Sequence, residues 1–273
     1  MEIESRRGVL YPDRLPEFHR VPAPAEVAAW VTWFWIPEWR LPDGVTVTQE
    51  VLPFPACNLV VEPGSVSLVG PSTRRSSREL TGSGWAVGAL LKPAAVPALA
   101  PDPARLRDGA MTLAEPGLLA TVVQAMAESI WTGDERRGAA VDALTGWLRD
   151  RLTEPDADGL LANRAAELIA DPEITRVDQL AAALHVSTRT LQRIAARSFG
   201  LSLHSMIQRR RLQEAAECLR GGGSGKDAAT GGAASIAEIA AATGYADHAH
   251  FTRDFMAVLG MTPREYRSRV RGA

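Results

Sequence analysis

Between residues 177 and 259 one arrangement of apolar residues, turn and cap occurs twice, and each copy predicts two short helices joined by a tight turn. In the first copy Val177, Leu180, Ala181 and Leu184 fall at helical spacing. A turn follows at His185-Val186, Ser187 stands where a helix cap belongs, and Leu191 and Ile194 face inward on a second helix. In the second copy Ile236, Ile239 and Ala240 form the apolar face, the turn is Gly244-Tyr245-Ala246, and Asp247 caps a helix with Phe251 and Phe255 inward. The small residues Ala181 and Ala240 let paired helices cross closely. Four positions later the sharp turn needs a left-handed backbone, which Gly244 adopts freely and His185 adopts at some cost.

The outward faces suggest what such units do. On the first recognition helix Arg189, Arg193 and Arg197 fall at i, i+4 and i+8, with Thr188 and Gln192 beside them. Arginine pairs bidentately with guanine and glutamine with adenine in the major groove. The second helix presents His248, Ala249, His250, Thr252 and Arg253 and is less basic. One charged stripe alone is the ordinary look of a solvated helix face. Two such units in tandem point to DNA instead. Charge agrees modestly: residues from 160 onward hold 15 Lys+Arg against 11 Asp+Glu, while residues 1–159 hold 15 against 21.

The stretches VDQLAAALHVSTRTLQRIAARSFG (177–200), LHSMIQRRRLQEAAECLRG (203–221) and SIAEIAAATGYADHAHFTRDFMAVLGMTPREYR (235–267) resemble the AraC/XylS family of transcription regulators. The resemblance runs from Leu161 to Arg267 and includes the closing Gly260-Met261-Thr262-Pro263-Arg264-Glu265-Tyr266-Arg267. It implies a long helix joining two helix-turn-helix units, so that both recognition helices enter successive major grooves about 34 Å apart. Leu203–Leu219 is similar to that connector, with Arg209, Arg210 and Arg211 near its middle. The DNA-contacting set expected from this is Ser187, Thr188, Arg189, Gln192, Arg193 and Arg197, Arg210 on the connector, and His248, Ala249, His250 and Arg253. Double-stranded operator DNA is the implied partner, with RNA polymerase and a small-molecule effector as further ones. The chain departs from the family through Gly221–Ser235, which has no apolar side chain larger than Ala and reads as a flexible insertion.

A length of 273 residues favours two domains. Residues 1–115 carry short β-branched runs at 45–48, 58–62, 65–69 and 85–91, punctuated by Gly and Pro, which predict a small barrel or sandwich. Residues 116–159 read as a helical connector ending in a linker at Thr153–Gly159, and 160–273 as all-α. The fold class is therefore α+β, a β-rich domain ahead of a tandem helix-turn-helix domain. Leu119, Val122, Val123, Met126 and Ile130 make one helical stripe and Val141, Leu144, Leu148 and Leu152 another, with Trp147 beside it and Gly133-Asp134 between. Such a surface must be covered, which predicts a homodimer through 118–152, or packing against the β-domain as the alternative. All seven Trp precede residue 160, and Trp30, Trp33 and Trp35 are candidates for a cleft holding an apolar or aromatic effector, against a plain core role. The segments 49–59 and 88–95 resemble the N-terminal sensor-type domain of actinobacterial AraC-type regulators.

Several classes drop out. His19 is the only histidine before residue 185, too few for a metal-dependent barrel. His248 and His250, at i and i+2, point apart on a helix. Cys57 and Cys218 match no zinc spacing, and Cys57 has no neighbouring histidine to activate it. No metal, cofactor or catalysis is expected. No apolar run approaches the roughly 20 residues of a membrane span, and the charged N-terminus lacks a signal-peptide core. These features predict a cytoplasmic, effector-responsive DNA-binding regulator. The alternative is a protein-interaction adaptor with a degenerate helix-turn-helix domain and a ligand-binding Trp-rich N-terminal domain.

Overall fold

A computed structural model describes residues 17–51, 55–221 and 234–271. Period-two alternation builds the first layer. Strands β1 (Glu17–Pro22), β2 (Val31–Arg40), β4 (Asn58–Glu62), β5 (Ser65–Val69), β8 (Val87–Leu91) and β9 (Ala110–Leu113) form an antiparallel sheet in the order β1-β2-β8-β4-β5-β9, and β7 (Ser83–Trp85) also pairs with β2. Phe34, Ile36, Leu59, Val61, Leu68, Val87, Ala89 and Leu91 face one side. A register shift between Val31 and Trp33 puts Val31 on that same side although it lies three residues from Phe34. A separate hairpin pairs β3 (Thr46–Val51) with β6 (Ser76–Thr81). The sheets do not close, so the barrel alternative is not realised: β1 and β9 end the sheet order unpaired with each other.

Helices complete the layer instead of strands. α1 (Val96–Leu99) follows β8, and α2 (Pro116–Ala127) and α3 (Gly133–Arg151) lie over the inner face. Leu118, Val122, Met126, Val141, Leu144, Leu148 and Leu152 share one core with the strand residues. The stripe expected to pair subunits is therefore interior: Leu144 and Leu148 are 0% exposed. This corrects the dimer expectation in favour of packing on the β-layer, because the sheet itself offers the apolar face that the stripe must meet. Gly133 and Asp134 do not break the helix. They begin it, because Thr132 and Glu135 form a reciprocal capping box. Ile130 falls outside both helices and is 85% exposed.

The rest is helical: α4 (Ala157–Ile169), α5 (Val177–Ala183), α6 (Thr188–Ser198), α7 (Leu203–Leu219), α8 (Ile236–Ala242), α9 (His248–Leu259) and α10 (Pro263–Arg271). α4 starts inside the stretch that reads as a linker, with Asp156 capping it by accepting from Gly159 N at 2.7 Å. The first half of α7 contributes Leu203, Met206 and Ile207 to a core with α4, α5 and α6. Its second half contributes Leu212, Ala215, Ala216 and Leu219 to a core with α8, α9 and α10. Most of the Gly221–Ser235 insertion lies outside the described residues. Among the described residues no helix is long and apolar enough to cross a membrane.

The β-layer and the helical half are in direct contact. Asn163 of α4, 9% exposed, donates to Ala29 O (2.8 Å) and accepts from Ala94 N (2.9 Å). Arg107 donates twice to Gly200 O (3.0 and 3.2 Å). Gly200 itself sits at φ +65, and a Cβ there would stand 2.6 Å from Pro103 O. That position serves both the left-handed exit from α6 and the close approach of the preceding unit.

Candidate nucleic-acid interface

Both turns form as the apolar pattern requires. In the first, Val186 N donates to Ala181 O (3.1 Å), and His185 holds φ 55. In the second, Tyr245 N donates to Ala240 O (2.9 Å), and Gly244 holds φ 76. The matching hydrogen bonds fall 59 residues apart, and so do the left-handed residues. The caps fall 60 apart, so the second turn carries one residue more. Ser187 accepts from Thr190 N (3.1 Å) and Asp247 from His250 N (2.7 Å), satisfying donors that each helix start leaves open. Ser187 is thereby a cap first.

Thr188, Arg189, Gln192, Arg193 and Arg197 are all exposed on α6, yet their surroundings differ. Arg189 forms no ion pair among the described residues. Arg193 is held by Asp158 through two bonds, 2.6 and 3.0 Å, and Arg197 stands 3.6 Å from the same carboxylate. Asp158 lies in the first turn of α4, where the helix dipole favours a carboxylate. The Arg193 guanidinium holds its carboxyl below the usual range, so Asp158 is ionised at neutral pH. Gln192 borders a cleft shared with Asp102, Ala104 and Arg107 of the preceding unit. On α9, His248, Ala249, His250 and Arg253 are exposed. His250 turns its ring edge-on to Tyr245 and lies 3.4 Å from Asp254, so it is more committed than its neighbours.

The arginine run on α7 is a correction. Arg210 is 8% exposed: it donates to both carboxylate oxygens of Glu214 (2.7 Å each) and to Ile174 O (3.1 Å). It ties the connector to the segment entering α5, with both Nη atoms taken up inside the protein. Arg211 does the same for the second unit, donating to Thr243 O (2.7 Å) and covering the Tyr245 ring at 4.1 Å. Arg209 reaches the β-layer at Thr73 O (3.3 Å). Sequence spacing puts all three at the centre of a helix; tertiary packing spends each on a different neighbour. Asp158 is the residue that spacing does not bring forward, since it sits in an acidic stretch that looks like linker.

Two helix-turn-helix units share one connector, and each leaves its second helix exposed. A family model for a helix-turn-helix domain matches residues 180–269, spanning both units, and a model for a domain of unknown function, DUF6597, matches residues 19–111. The chain carries a helix-turn-helix domain. A β-rich unit precedes it in the chain. Among curated proteins none matches the chain. Of solved structures, ToxT from Vibrio cholerae O395 is similar at TM-score 0.43 and 14% identity, covering 88% of this chain and 99% of ToxT. Unsaturated fatty acid bound ToxT from Vibrio cholerae strain SCE256 is similar at TM-score 0.41 and 15% identity, covering 88% and 96%. The xylose-binding transcription activator xylR gives 0.33 and 22%, covering 49% of this chain and 39% of xylR.

The three tryptophans raised as ligand candidates separate. Trp30 is in the core. Trp35 lies over Gly88, where any Cβ would stand 2.1 Å from its ring, and donates to Asn58 Oδ1 (2.9 Å). Trp33 lines a cavity between the β-layer and the helical half. Cys57 borders the same cavity, and burial pushes its thiol up to about 12, so it stays an unreactive neutral thiol.

The Asp158 pairing makes one prediction. Asp158→Asn frees Arg193 and Arg197 and removes a carboxylate from beside the exposed face of α6. Affinity for DNA is expected to rise roughly two- to fivefold at low salt, with a smaller gain at high salt. Fluorescence anisotropy on a labelled duplex checks this, and unchanged affinity at both salts shows that the pair does not compete with DNA.

Proposed function

We propose that the chain is a DNA-binding transcription regulator that reads two successive major grooves on one DNA face, with Thr188, Arg189, Gln192 and Arg193 of α6 in one and Ala249 and Arg253 of α9 in the next. The observation that carries this reading is α7: its two halves belong to two cores, so the exposed helices are held at one spacing. We place the boundary between sensing and reading units at the α3–α4 connection, since α2 and α3 share the core of the β-layer. The N-terminal unit answers a small effector, and its seat on α6 provides the route by which it acts. Assembly into a homodimer, if the operator requires it, uses a surface other than the buried stripe on α2 and α3.

Arg189 is the sharpest test, being exposed and unpaired among the described residues. Arg189→Ala is expected to cost about 1–3 kcal/mol at a specific site and to relax preference at one base pair. Binding to the DNA upstream of its own gene, measured against salt for the unaltered chain and the variant, checks it. An equal loss on every sequence, with a salt slope lower by about 0.9, makes Arg189 a phosphate contact and overturns the base-reading role.

A further inference from the structure

The two recognition helices end alike. Gly200 follows α6 and Gly260 follows α9, 60 residues apart as the two caps are, and both hold a left-handed backbone, at φ +65 and +68. The N-terminal unit grips the chain at both places. Arg107 donates twice to Gly200 O (3.0 and 3.2 Å). Arg75 donates its backbone N–H to Val258 O (3.0 Å), and its guanidinium lies against Gly260, where an added Cβ would stand 3.4 Å from Nε.

One residue links the two grips. Backbone bonds from Gly70 N to Gly109 O and from Asp108 N to Pro71 O carry the pairing of β5 and β9 beyond the strands. Past them the Asp108 side chain takes over, accepting from Thr73 N and Thr73 Oγ1 at 2.5 Å each. Asp108 does so at φ 57, a left-handed backbone that an aspartate adopts at some cost. Thr73 O in turn accepts from Arg209 of α7 (3.3 Å). Arg75, two residues on, is bonded through its side chain to Glu50 of β3, so the grip on α9 rides on the separate β3–β6 hairpin. A run of bonds therefore leads from Gly200 through Arg107, Asp108 and Thr73 to Arg75 and Val258, with α7 tied in at Thr73.

Two cores joined along one helix can rock about it, because long helices bend. A second tie away from the helix axis removes that freedom. We propose that the N-terminal unit braces the two recognition helices against each other through this run of bonds, with Asp108 as the positioning residue that fixes their separation. The inference rests on the two-groove reading and adds what holds the two readers at one distance.

Electron–electron double resonance on the full chain tests it, with spin labels at Ala182→Cys on α5 and Ala241→Cys on α8, both exposed positions. Cys218→Ala removes the competing thiol, and Cys57 is 2% exposed and escapes labelling. Asp108→Gly removes the carboxylate without straining the backbone, and it is expected to widen the label distance distribution roughly twofold. Asp108→Asn tolerates the same backbone and keeps an acceptor for Thr73 N, so it is expected to stay near the parent. Arg107→Ala cuts the run at the other grip and is expected to widen the distribution as Asp108→Gly does, so one variant serves if the other melts early. An unchanged distribution in either overturns the proposal and leaves α7 alone holding the spacing. Widening by Asp108→Asn equal to that of Asp108→Gly overturns it too, since the bond to Thr73 is then not the cause. No DNA enters this measurement, so failure here and failure of operator binding are read separately. On a duplex selected by the parent chain from a random pool, one base pair inserted between the half-sites is expected to cost the parent roughly tenfold and Asp108→Gly about threefold or less. An equal cost in both overturns the positioning role in reading.

Discussion

A chain carrying Leu144→Asp and Leu148→Asp is expected to lose its folded N-terminal unit and show no simple change of oligomeric state. Both leucines are 0% exposed and sit between the sheet and α2. Truncating one buried leucine costs about 2–5 kcal/mol, and placing a carboxylate in the vacated site adds the cost of a buried, unpaired charge. Two such changes together match or exceed the roughly 5–15 kcal/mol that holds a typical domain. Circular dichroism and sedimentation at micromolar concentration separate the outcomes. A folded variant whose mass halves relative to the parent would restore the stripe to a subunit interface.

Arg210→Met carries the second large effect, and its direction separates structure from DNA contact. Removing one partner of a buried pair strands the other; here Glu214 keeps 27% side-chain exposure, so water relieves part of the cost. The bond to Ile174 O is lost as well. A loss of about 2–3 kcal/mol in urea unfolding is expected, with the salt slope of DNA binding unchanged below the melting range. A phosphate contact would do the reverse: stability would hold and the slope would fall by about 0.9. Arg189→Ala and Arg210→Met thus make a matched pair, one acting on sequence preference and the other on stability.

The helix-turn-helix units were legible because their determinants are local. Ala181 and Ala240, the left-handed His185 and Gly244, and the caps Ser187 and Asp247 all act within one turn and its flanking helices. Strand β2 was harder to see. Trp33 and Trp35 sit on its outer face, so the apolar–polar alternation that marks a half-buried strand is blurred. Trp33 borders the cavity that the helical half closes, more than 100 positions away, whereas Trp35 stacks on Phe18 and packs over Gly88 within the sheet. β6 (Ser76–Thr81) hides for the opposite reason: only Leu80 is buried, and its polar residues look like a loop until β3 pairs with it.

The same division holds at the functional surface. Residue types and helical period alone determined that the chain has two helix-turn-helix units whose second helices, α6 and α9, are exposed, and a connector between them, because a helix orders its own side chains. Which arginines remain available was decided only by tertiary structure. Arg189, Arg193 and Arg197 are equivalent by spacing, but Asp158, 35 residues before Arg193, engages two of them and leaves the third. Arg210 lies in a basic run that suggests a phosphate contact, yet Glu214 and Ile174 O enclose it. The stripe of α3 suggests a partner subunit, yet the sheet covers it. In each case the side chain's neighbour comes from a distant part of the chain, and periodicity reports which face a residue occupies without reporting what that face meets.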